Sequence, residues 1–317
     1  MAERSPRINL YDENIMKEIN PETLKLWKKY QIDMSIRGLS LNTINGYNSD
    51  LRQWFIYMYN NQFNLSVTEC TDEDLEEYFY FRKEGGNNVD RQKRIMSSIS
   101  AFYKFLRKKK LIKESPTEFL ERPKKGQPIN KQTFLTVEQV EQLRGKLEEF
   151  GDIQLQTYIL FGLSTMARVN AMSHLKWEQV DIEERMCSDV VEKEGKIVDL
   201  FFSKEVADLL QKLKAYREQN NINDYGWVFI TPYVREDKCI LNSTLNDWCH
   251  KAGAMIGIPT LHNHDLRHSG SNILKELGME LQDIAELLHH ESTETTVKHY
   301  LHVNKKKIKD NKDKFSF

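Results

Sequence analysis

The sequence predicts a mainly α-helical protein with a small β-sheet, of the α+β class, in two domains. Apolar residues recur at helical spacing through most of the 317 residues. The stretch 123–133 interrupts this pattern with the composition PKKGQP, which favours neither helix nor strand and predicts a linker. Two short apolar runs, Val190–Val191 and Ile197–Leu200, flank a turn at Gly195 and predict a hairpin.

The first domain is predicted to span residues 21–122, after a polar and loosely ordered segment of residues 1–20. Four helices are expected in it. The second begins after an N-cap at Ser40 and the third after one at Thr71, and a Gly-Gly-Asn-Asn break at 85–88 separates the third from the fourth. The expected apolar stripe of the first helix is Leu24, Trp27, Tyr30, Ile32 and Met34.

The second domain is predicted to span residues 134–303, followed by a tail of residues 304–317. Thr136 is the expected N-cap of its first helix, and a second helix covers about 154–166, with Tyr158 in its apolar stripe. After the hairpin, helices are expected at about 203–218, 241–256, 266–277, 280–288 and 293–300.

Positive charge is concentrated locally although the formal net charge is −1. Between Arg82 and Lys125 there are 14 Lys or Arg against 5 Asp or Glu, and the tail 304–317 carries 6 Lys against 2 Asp. Phosphate binding requires a local basic surface rather than a positive whole chain. The charge distribution is therefore compatible with a nucleic-acid partner.

Several classes of protein are disfavoured by composition. No apolar run approaches the length of about 20 residues that spans a bilayer, and the N-terminus has no apolar core of a secretory signal. The four cysteines form no Cys-x-x-Cys pair, which favours reduced thiols in a cytoplasmic protein over disulfides or a zinc site. A metal site at His299, Tyr300 and His302 is disfavoured because no carboxylate or cysteine stands at matching spacing.

One cluster of residues has the chemistry needed to cut and rejoin a phosphodiester without a metal. His264, Arg267 and His268 stand at i, i+3 and i+4, which places them on about one helix face. Arginine binds two phosphate oxygens with its planar fork and stays charged. Imidazoles transfer protons, and the phenol of Tyr300 is a candidate nucleophile.

The same residues carry a resemblance to the tyrosine recombinase, or phage integrase, family. The motifs are HDLRHS at 264–269, LLHH at 287–290, TTVKHYLHV at 295–303 and RVNAMSHLKW at 168–177. The resemblance implies that residues 134–303 form the catalytic domain. Weaker motifs, GLSLNTI at 38–44 and AFYKFL at 101–106, imply a helical, SAM-like core-binding domain at 21–122.

The resemblance also implies roles. Arg168 and Arg267 would clamp the scissile phosphate, with His290 as a third contact, and His264 would assist proton transfer. Tyr300 would attack and form a 3′-phosphotyrosyl link. A lysine on the hairpin turn would protonate the leaving 5′-oxygen; Lys193 is the first choice because it precedes the turn glycine, and Lys196 is the alternative. No cofactor is implied.

Three departures from the family pattern bear on the site. Ala171 replaces an acidic residue three positions after the first arginine, so that Arg168 is expected to have another partner. Thr165-Met166-Ala167 stands where a glycine is usual. His289 replaces the glycine before His290, which implies either ordinary helical dihedrals or a mild conformational penalty. His290 remains the choice for the phosphate contact because it lies ten residues before Tyr300.

The partner that the resemblance implies is double-stranded DNA with inverted-repeat core sites. A homotetramer would assemble on two DNA sites from subunits that are monomeric in solution. The two domains would clamp the duplex. Candidate DNA-binding residues lie on the fourth helix and the linker: Arg91, Lys93, Arg94, Lys104, Arg107, Lys108, Lys124 and Lys125. The tail is expected either to dock on a neighbouring subunit through Ile308 and Phe315–Phe317 or to be frayed.

Alternative functions use the same residues. A type IB topoisomerase would need a similar set, but the compact length and the helical first domain favour a site-specific recombinase. A catalytically silent DNA-binding protein is disfavoured because every catalytic group is present. Within the recombinases, an integrase or transposase of a mobile element and a housekeeping enzyme that resolves chromosome or plasmid dimers both remain open.

Overall fold

The structure is a computed structural model that describes residues 8–124, 134–192 and 195–289. The chain divides into two compact units, Met1–Asn130 and Lys131–Phe317, each with its own apolar core. The fold is mainly helical, with one small antiparallel sheet, as the sequence predicted. Within the described ranges, no helix has both the length and the apolar character needed to cross a membrane.

The described part of the first unit contains five helices. They are α1 (Glu13–Glu18), α2 (Pro21–Ile36), α3 (Leu41–Asn61), α4 (Asp72–Glu84) and α5 (Val89–Lys108). The predicted caps are present: the hydroxyl of Ser40 accepts from the N–H of Thr43, and that of Thr71 accepts from the N–H of Asp74, both at 3.3 Å. These caps satisfy backbone donors that would otherwise lack partners at the start of each helix.

Two predictions for this unit were incomplete or wrong. Ile32 was placed in the apolar stripe of α2, but it is 54% exposed, because the buried face of that helix runs through Leu26, Tyr30 and Met34. The segment expected to be loosely ordered contains α1. Asp12 caps that helix with its carboxylate, and α1 was missed because six residues are too few to show helical periodicity.

In the second unit, the described helices are α6 (Val137–Phe150), α7 (Ile153–Thr165), α8 (Val169–Ser173), α9 (Lys204–Gln219), α10 (Asn242–Ala254), α11 (Asn263–Glu276) and α12 (Leu281–Leu287). The predicted helix at 293–300 lies outside the described residues. Tyr158 is fully buried, as expected for a core position.

A three-stranded antiparallel sheet lies between α8 and α9 in sequence. Its strands are β1 (Val180–Asp181), β2 (Met186–Val191) and β3 (Ile197–Phe201), in that order. The predicted hairpin is β2–β3: Val191 pairs with Ile197, and Gly195 has a φ of 76°. The sequence did not predict β1, because two residues cannot show an alternating pattern.

Two glycines let α7 and α11 approach closely. A Cβ at Gly270 would lie 2.1 Å from the carbonyl oxygen of Leu163, and one at Gly162 would lie 2.9 Å from the side chain of Leu266. The backbone oxygen of Leu163 cannot move aside for a Cβ, so the close contact depends on glycine at position 270. The end of the Leu266 side chain could shift to admit a Cβ at Gly162, so the requirement there is weaker. This contact brings Arg267 on α11 to the C-terminal end of α7.

Candidate active site

Arg267 is held by main-chain oxygens at the ends of two helices. It is 5% exposed, and its guanidinium donates to the carbonyl of Met166, at 2.5 Å, and to the carbonyl of Leu288. Met166 follows α7 and Leu288 follows α12. The C-terminal end of a helix carries partial negative charge and unpaired carbonyls, which stabilise a cation. These two main-chain carbonyls therefore help to fix the guanidinium in place.

The chain turns sharply at both of these helix ends. Met166 has a φ of 53°, and His289, directly after Leu288, has a φ of 51°. Left-handed backbone ends a helix and redirects its last carbonyls. For a residue with a side chain, this conformation costs about 1 kcal/mol. Residues with side chains thus adopt the left-handed conformation at or near the positions where the family pattern has glycine. Of the two alternatives expected for His289, the structure shows the mild conformational penalty rather than ordinary helical dihedrals.

His264 stands in the first turn of α11, one turn before Arg267. Its side chain is exposed, and its ring packs edge-on against His268, with centroids 4.3 Å apart. The start of α11 is fixed by the buried Asn263, which accepts from the hydroxyl of Tyr158 and donates to Asn246 at 2.6 Å. His264 and Arg267 are therefore presented by a well-anchored helix end.

Arg168 pairs with Glu192, the residue that follows β2. The Glu192 side chain is 1% exposed and that of Arg168 is 36% exposed. Burial lowers the pKa of Arg168, but an arginine remains a cation at any working pH. Glu192 is thus the alternative partner that Ala171 made necessary. Glu192 was not predicted as this partner, although a glutamate beside the hairpin turn is visible in the sequence.

The hairpin turn is also fixed on its other side. The N–H of Glu192 donates to the carbonyl of Lys196 at 2.8 Å, and the ammonium group of Lys196 donates to the carbonyl of His289 at 3.0 Å. Lys196 therefore already has a partner, which favours Lys193 as the general acid. Lys193 itself lies outside the described residues, so that the choice between the two lysines stays a prediction.

His289 lies among the cations of the site. Its Nε2 is 3.0 Å from the carbonyl oxygen of Asp199 on β3, and since a carbonyl only accepts, Nε2 must carry the proton. Burial lowers the pKa of His289. The hydrogen bond to Asp199 raises it, and the positive charges of Arg267, Lys196 and Arg168 lower it further. Hydrogen bonds place the three cations together: Lys196 donates to the carbonyl of His289 and Arg267 to that of Leu288. Arg168 pairs with Glu192, whose N–H donates to the carbonyl of Lys196.

The structure thus brings together Arg168, Arg267 and the alternative lysine Lys196, with His264 on the same helix as Arg267. The other predicted catalytic residues, Lys193, His290 and Tyr300, lie outside the described residues, as does Lys125. The described arrangement can hold an anion between cations that the protein has already oriented. The phosphate of a DNA strand that is being cut and rejoined is an anion that such cations could hold.

The candidate DNA-binding residues of the first unit are in different environments. Lys104, Lys108 and Lys124 are exposed, and Lys93 is half-buried. Arg91 and Arg94 both pair with the buried Asp50, at 2.6 Å and 3.5 Å. Arg107 pairs with Glu118 at 3.3 Å. The three arginines therefore share their charge with carboxylates, and the exposed lysines are the stronger candidates for phosphate contact.

Comparison with known families assigns both units. Residues 133–307 match the phage integrase family, and residues 28–110 match the N-terminal SAM-like domain of phage integrases. The chain belongs to the phage integrase family. It is an enzyme of the tyrosine recombinase class, which breaks and rejoins DNA strands at specific sites.

Two relatives illustrate the similarity in sequence. The tyrosine recombinase XerC of Leptospira interrogans is 30% identical over 286 residues, covering 86% of this chain and 87% of the relative. The tyrosine recombinase XerD of Halalkalibacterium halodurans is 27% identical over 285 residues, covering 86% and 91%. In both cases the similarity extends over nearly the whole chain.

Solved structures show the same fold. The XerH site-specific recombinase, bound to a palindromic difH substrate after cleavage, aligns with a TM-score of 0.70 at 18% identity, covering 94% of this chain and 85% of that one. The Tn1549 transposon integrase, in complex with transposon right-end DNA, aligns with a TM-score of 0.67 at 16% identity, covering 92% and 98%.

Proposed function

We propose that the protein recombines DNA through a covalent 3′-phosphotyrosyl intermediate formed by Tyr300, without metal or ATP. The observation that carries this proposal is the convergence of Arg168, Arg267 and Lys196 around His289. Such a group of cations can neutralise the charge that builds up on a phosphate under attack, which is the task a metal ion performs elsewhere.

The resemblance to the family supports the remaining roles, and each of them suits the chemistry of the reaction. Arg168 and Arg267 bind the non-bridging oxygens, with His290 as a third donor. His264 assists removal of the phenolic proton of Tyr300. Lys193 protonates the leaving 5′-oxygen, because an alkoxide is otherwise a poor leaving group. The phosphotyrosyl bond conserves the energy of the broken phosphodiester, so that a 5′-hydroxyl of another strand can reverse the step.

The assembly that we propose is a homotetramer on two duplexes, built from subunits that are monomeric in solution. Recombination between two duplexes requires four strand cuts, and each active site here has one candidate nucleophile. Inverted-repeat core sites would present the same DNA surface to two subunits. All four cysteines lie in the described part of the chain and are free thiols, which supports action on cytoplasmic, nucleoid-associated DNA.

Two biological roles are compatible with this activity. Sequence similarity to recombinases named XerC and XerD supports a housekeeping role in resolving chromosome or plasmid dimers. The likeness to the Tn1549 transposon integrase supports integration or transposition of a mobile element, but at the level of the fold alone. Sequencing the DNA that is covalently attached to the protein in cells distinguishes chromosomal or plasmid core sites from the ends of a mobile element.

The catalytic proposal is tested by trapping the intermediate. Sequencing the DNA that is covalently attached to the protein in cells identifies the core site. This site is then made as a short duplex with a nick beside the cleavage position. The short cut fragment diffuses away, so that the covalent intermediate accumulates. In EDTA, the wild-type protein should form a covalent adduct that survives denaturation.

Two variants complete this test. Tyr300→Phe should form no adduct while binding the duplex normally, whereas Tyr233→Phe, at a tyrosine that is 87% exposed, should behave as wild type. An adduct with Tyr300→Phe, or a requirement for a divalent metal, would contradict the mechanism. Relaxation of supercoiled DNA without exchange between two sites would indicate a topoisomerase instead.

A further inference from the structure

His289 stands where the family pattern has glycine, and it makes contacts that glycine cannot make. Its imidazole donates through Nε2 to the carbonyl of Asp199 on β3, at 3.0 Å. Its own carbonyl accepts from the ammonium group of Lys196, also at 3.0 Å. Both contacts join the residue after α12 to the β2–β3 hairpin, and only the second would remain if the residue were glycine.

The hairpin turn carries Lys193 between two residues whose positions are fixed. On one side, Glu192 is paired with Arg168. On the other, Lys196 and Asp199 are bonded to His289. A general acid must lie within hydrogen-bond reach of the oxygen that it protonates, about 3 Å, so that a small displacement of the turn would impair proton transfer.

The same helix end also holds the phosphate-binding arginine. Arg267 donates to the carbonyl of Leu288, the residue directly before His289. One short segment, Leu288–His289, is therefore bonded to Arg267 through its first carbonyl and to the hairpin through its second carbonyl and its imidazole. These bonds oppose a shift of the hairpin relative to Arg267.

We propose that His289 is a positioning residue that ties the β2–β3 hairpin to the end of α12 and thereby sets the general-acid lysine against the phosphate held by Arg267. The proposal rests on the proposed function for the role of the lysine, but the tie itself is a statement about the described residues. The imidazole acts as a neutral donor in this contact, and a neutral imidazole is what the surrounding positive charges favour.

The decisive variant is His289→Gly, which removes the imidazole but adopts a φ of 51° without strain. Two nicked duplexes are compared, identical except that sulfur replaces the 5′-bridging oxygen in one. A thiol, with a pKa of about 8.5, leaves without protonation, so that this substrate does not need a general acid.

If His289 positions the acid, His289→Gly cleaves the oxygen substrate at least tenfold more slowly than wild type and the sulfur substrate within about twofold of wild type, with unchanged DNA affinity. His289→Gln, whose amide nitrogen can replace Nε2 as donor, should recover most of the lost rate. An equal loss on both substrates, or no loss on either, would overturn the proposal. His250→Ala, at an exposed histidine on α10, is the control.

A second measurement does not depend on catalysis. Amide hydrogen exchange in 186–191 and 197–201 should become faster in His289→Gly than in wild type, because the hairpin has lost a tie. If the wild-type protein cleaves neither substrate, the proposed function fails and this measurement alone decides the tie. Unchanged exchange would refute it.

Discussion

Glu192 and Arg168 depend on each other because one of them is buried. The carboxylate of Glu192 is almost entirely removed from water, and one of its oxygens has no hydrogen-bond partner among the described residues. A buried charge without its counterion costs several kcal/mol, whereas replacing both partners by neutral groups can be nearly neutral. Replacing one partner should therefore lower the free energy of unfolding more than replacing both.

We predict that Arg168→Met lowers the free energy of unfolding by about 2 kcal/mol, a discounted value because Arg168 is partly exposed. The double variant Arg168→Met/Glu192→Gln should regain most of this loss, since the buried charge is then gone. Urea denaturation measures both.

The exposed pair between Arg144 and Glu205, with nitrogen and oxygen 2.8 Å apart, supplies the control. Arg144→Met should cost less than about 1 kcal/mol, since water solvates both groups. If the two single variants lose the same stability, or the double variant of the buried pair regains none, Glu192 is not held by Arg168.

A pH dependence follows from His289. Burial and the nearby charges of Arg267, Lys196 and Arg168 lower the pKa of His289 in the folded protein. Below about pH 6.5, the unfolded chain therefore takes up a proton that the folded protein resists, and stability falls as the pH falls. The stability of wild type relative to His289→Gly should decrease between pH 7 and pH 5. A constant difference would mean that the folded pKa is not lowered.

At the scale of single residues, the candidate functional side chains were easier to predict than the groups that hold them in place. The placement of Arg267 and His264 on one helix could be predicted because their spacing is a property of the sequence. The carbonyls of Met166 and Leu288 could not, because every residue has a carbonyl and only the fold decides which ones face a guanidinium. Glu192 was missed for a related reason: its partner is 24 positions away.

Among the helices, α7 and α11 pack closely at the site, and Gly270 permits this contact. We predict that Gly270→Ala destabilises the protein by more than about 3 kcal/mol or prevents folding, because a Cβ would overlap the backbone oxygen of Leu163. Thermal unfolding of the purified variant, or its recovery in the insoluble fraction, is the measurement.

Gly145 provides the matched control within a helix. It lies inside α6, and nothing stands within 4 Å of where its Cβ would be. Gly145→Ala should therefore raise stability by up to about 1 kcal/mol, because alanine favours the helix. If both glycine variants behave alike, close packing of α7 and α11 is not what Gly270 provides.

For α5, the exposed lysines Lys104 and Lys108 should contact phosphate. Each neutralised phosphate changes the slope of log K against log salt concentration by about 0.9, so that Lys104→Ala/Lys108→Ala should reduce the slope by about 1.8. Lys83→Ala, on the acidic helix α4, should leave it unchanged. Titration of the core duplex at several salt concentrations measures the slope. A slope of the double variant equal to that of wild type would contradict the assignment of these lysines to phosphate contact.

Long elements were predictable, and short or polar ones were not. The Ser40, Thr71 and Thr136 caps marked true helix starts because the cap is a local interaction between a hydroxyl and a backbone N–H two or three residues later. The start of α11 was placed three residues late, since Asn263 looks like loop by composition. Its burial against Tyr158 and Asn246 comes from other helices.

At the scale of the whole molecule, a chain with a formal net charge of −1 has to bind a polyanion. Acidic segments offset the basic ones in the total, as on α4, where six of thirteen residues are acidic. Local attraction to DNA is thus compatible with a global charge near zero, which limits nonspecific adhesion to other anions.

The basic tail gives a prediction about assembly. Removing residues 305–317 should impair formation of the tetramer on two core sites, because Ile308 and Phe315–Phe317 are the apolar residues proposed to dock on a neighbour. Binding of one protein to a single half-site should change less. Native gel analysis on half-site and full-site duplexes measures both, and unchanged recombination by the shortened protein would reject the docking role.

The way in which Arg267 is anchored affects how this protein can be studied. Two of its hydrogen-bond acceptors are peptide oxygens, and no ordinary substitution deletes a peptide oxygen. An alanine scan of the surrounding positions would therefore miss the contribution of these two oxygens to the position of the guanidinium. Ester-for-amide replacement at the following peptide bonds, which weakens the carbonyl as an acceptor, is the kind of backbone chemistry that would reveal the contribution of Met166 and Leu288.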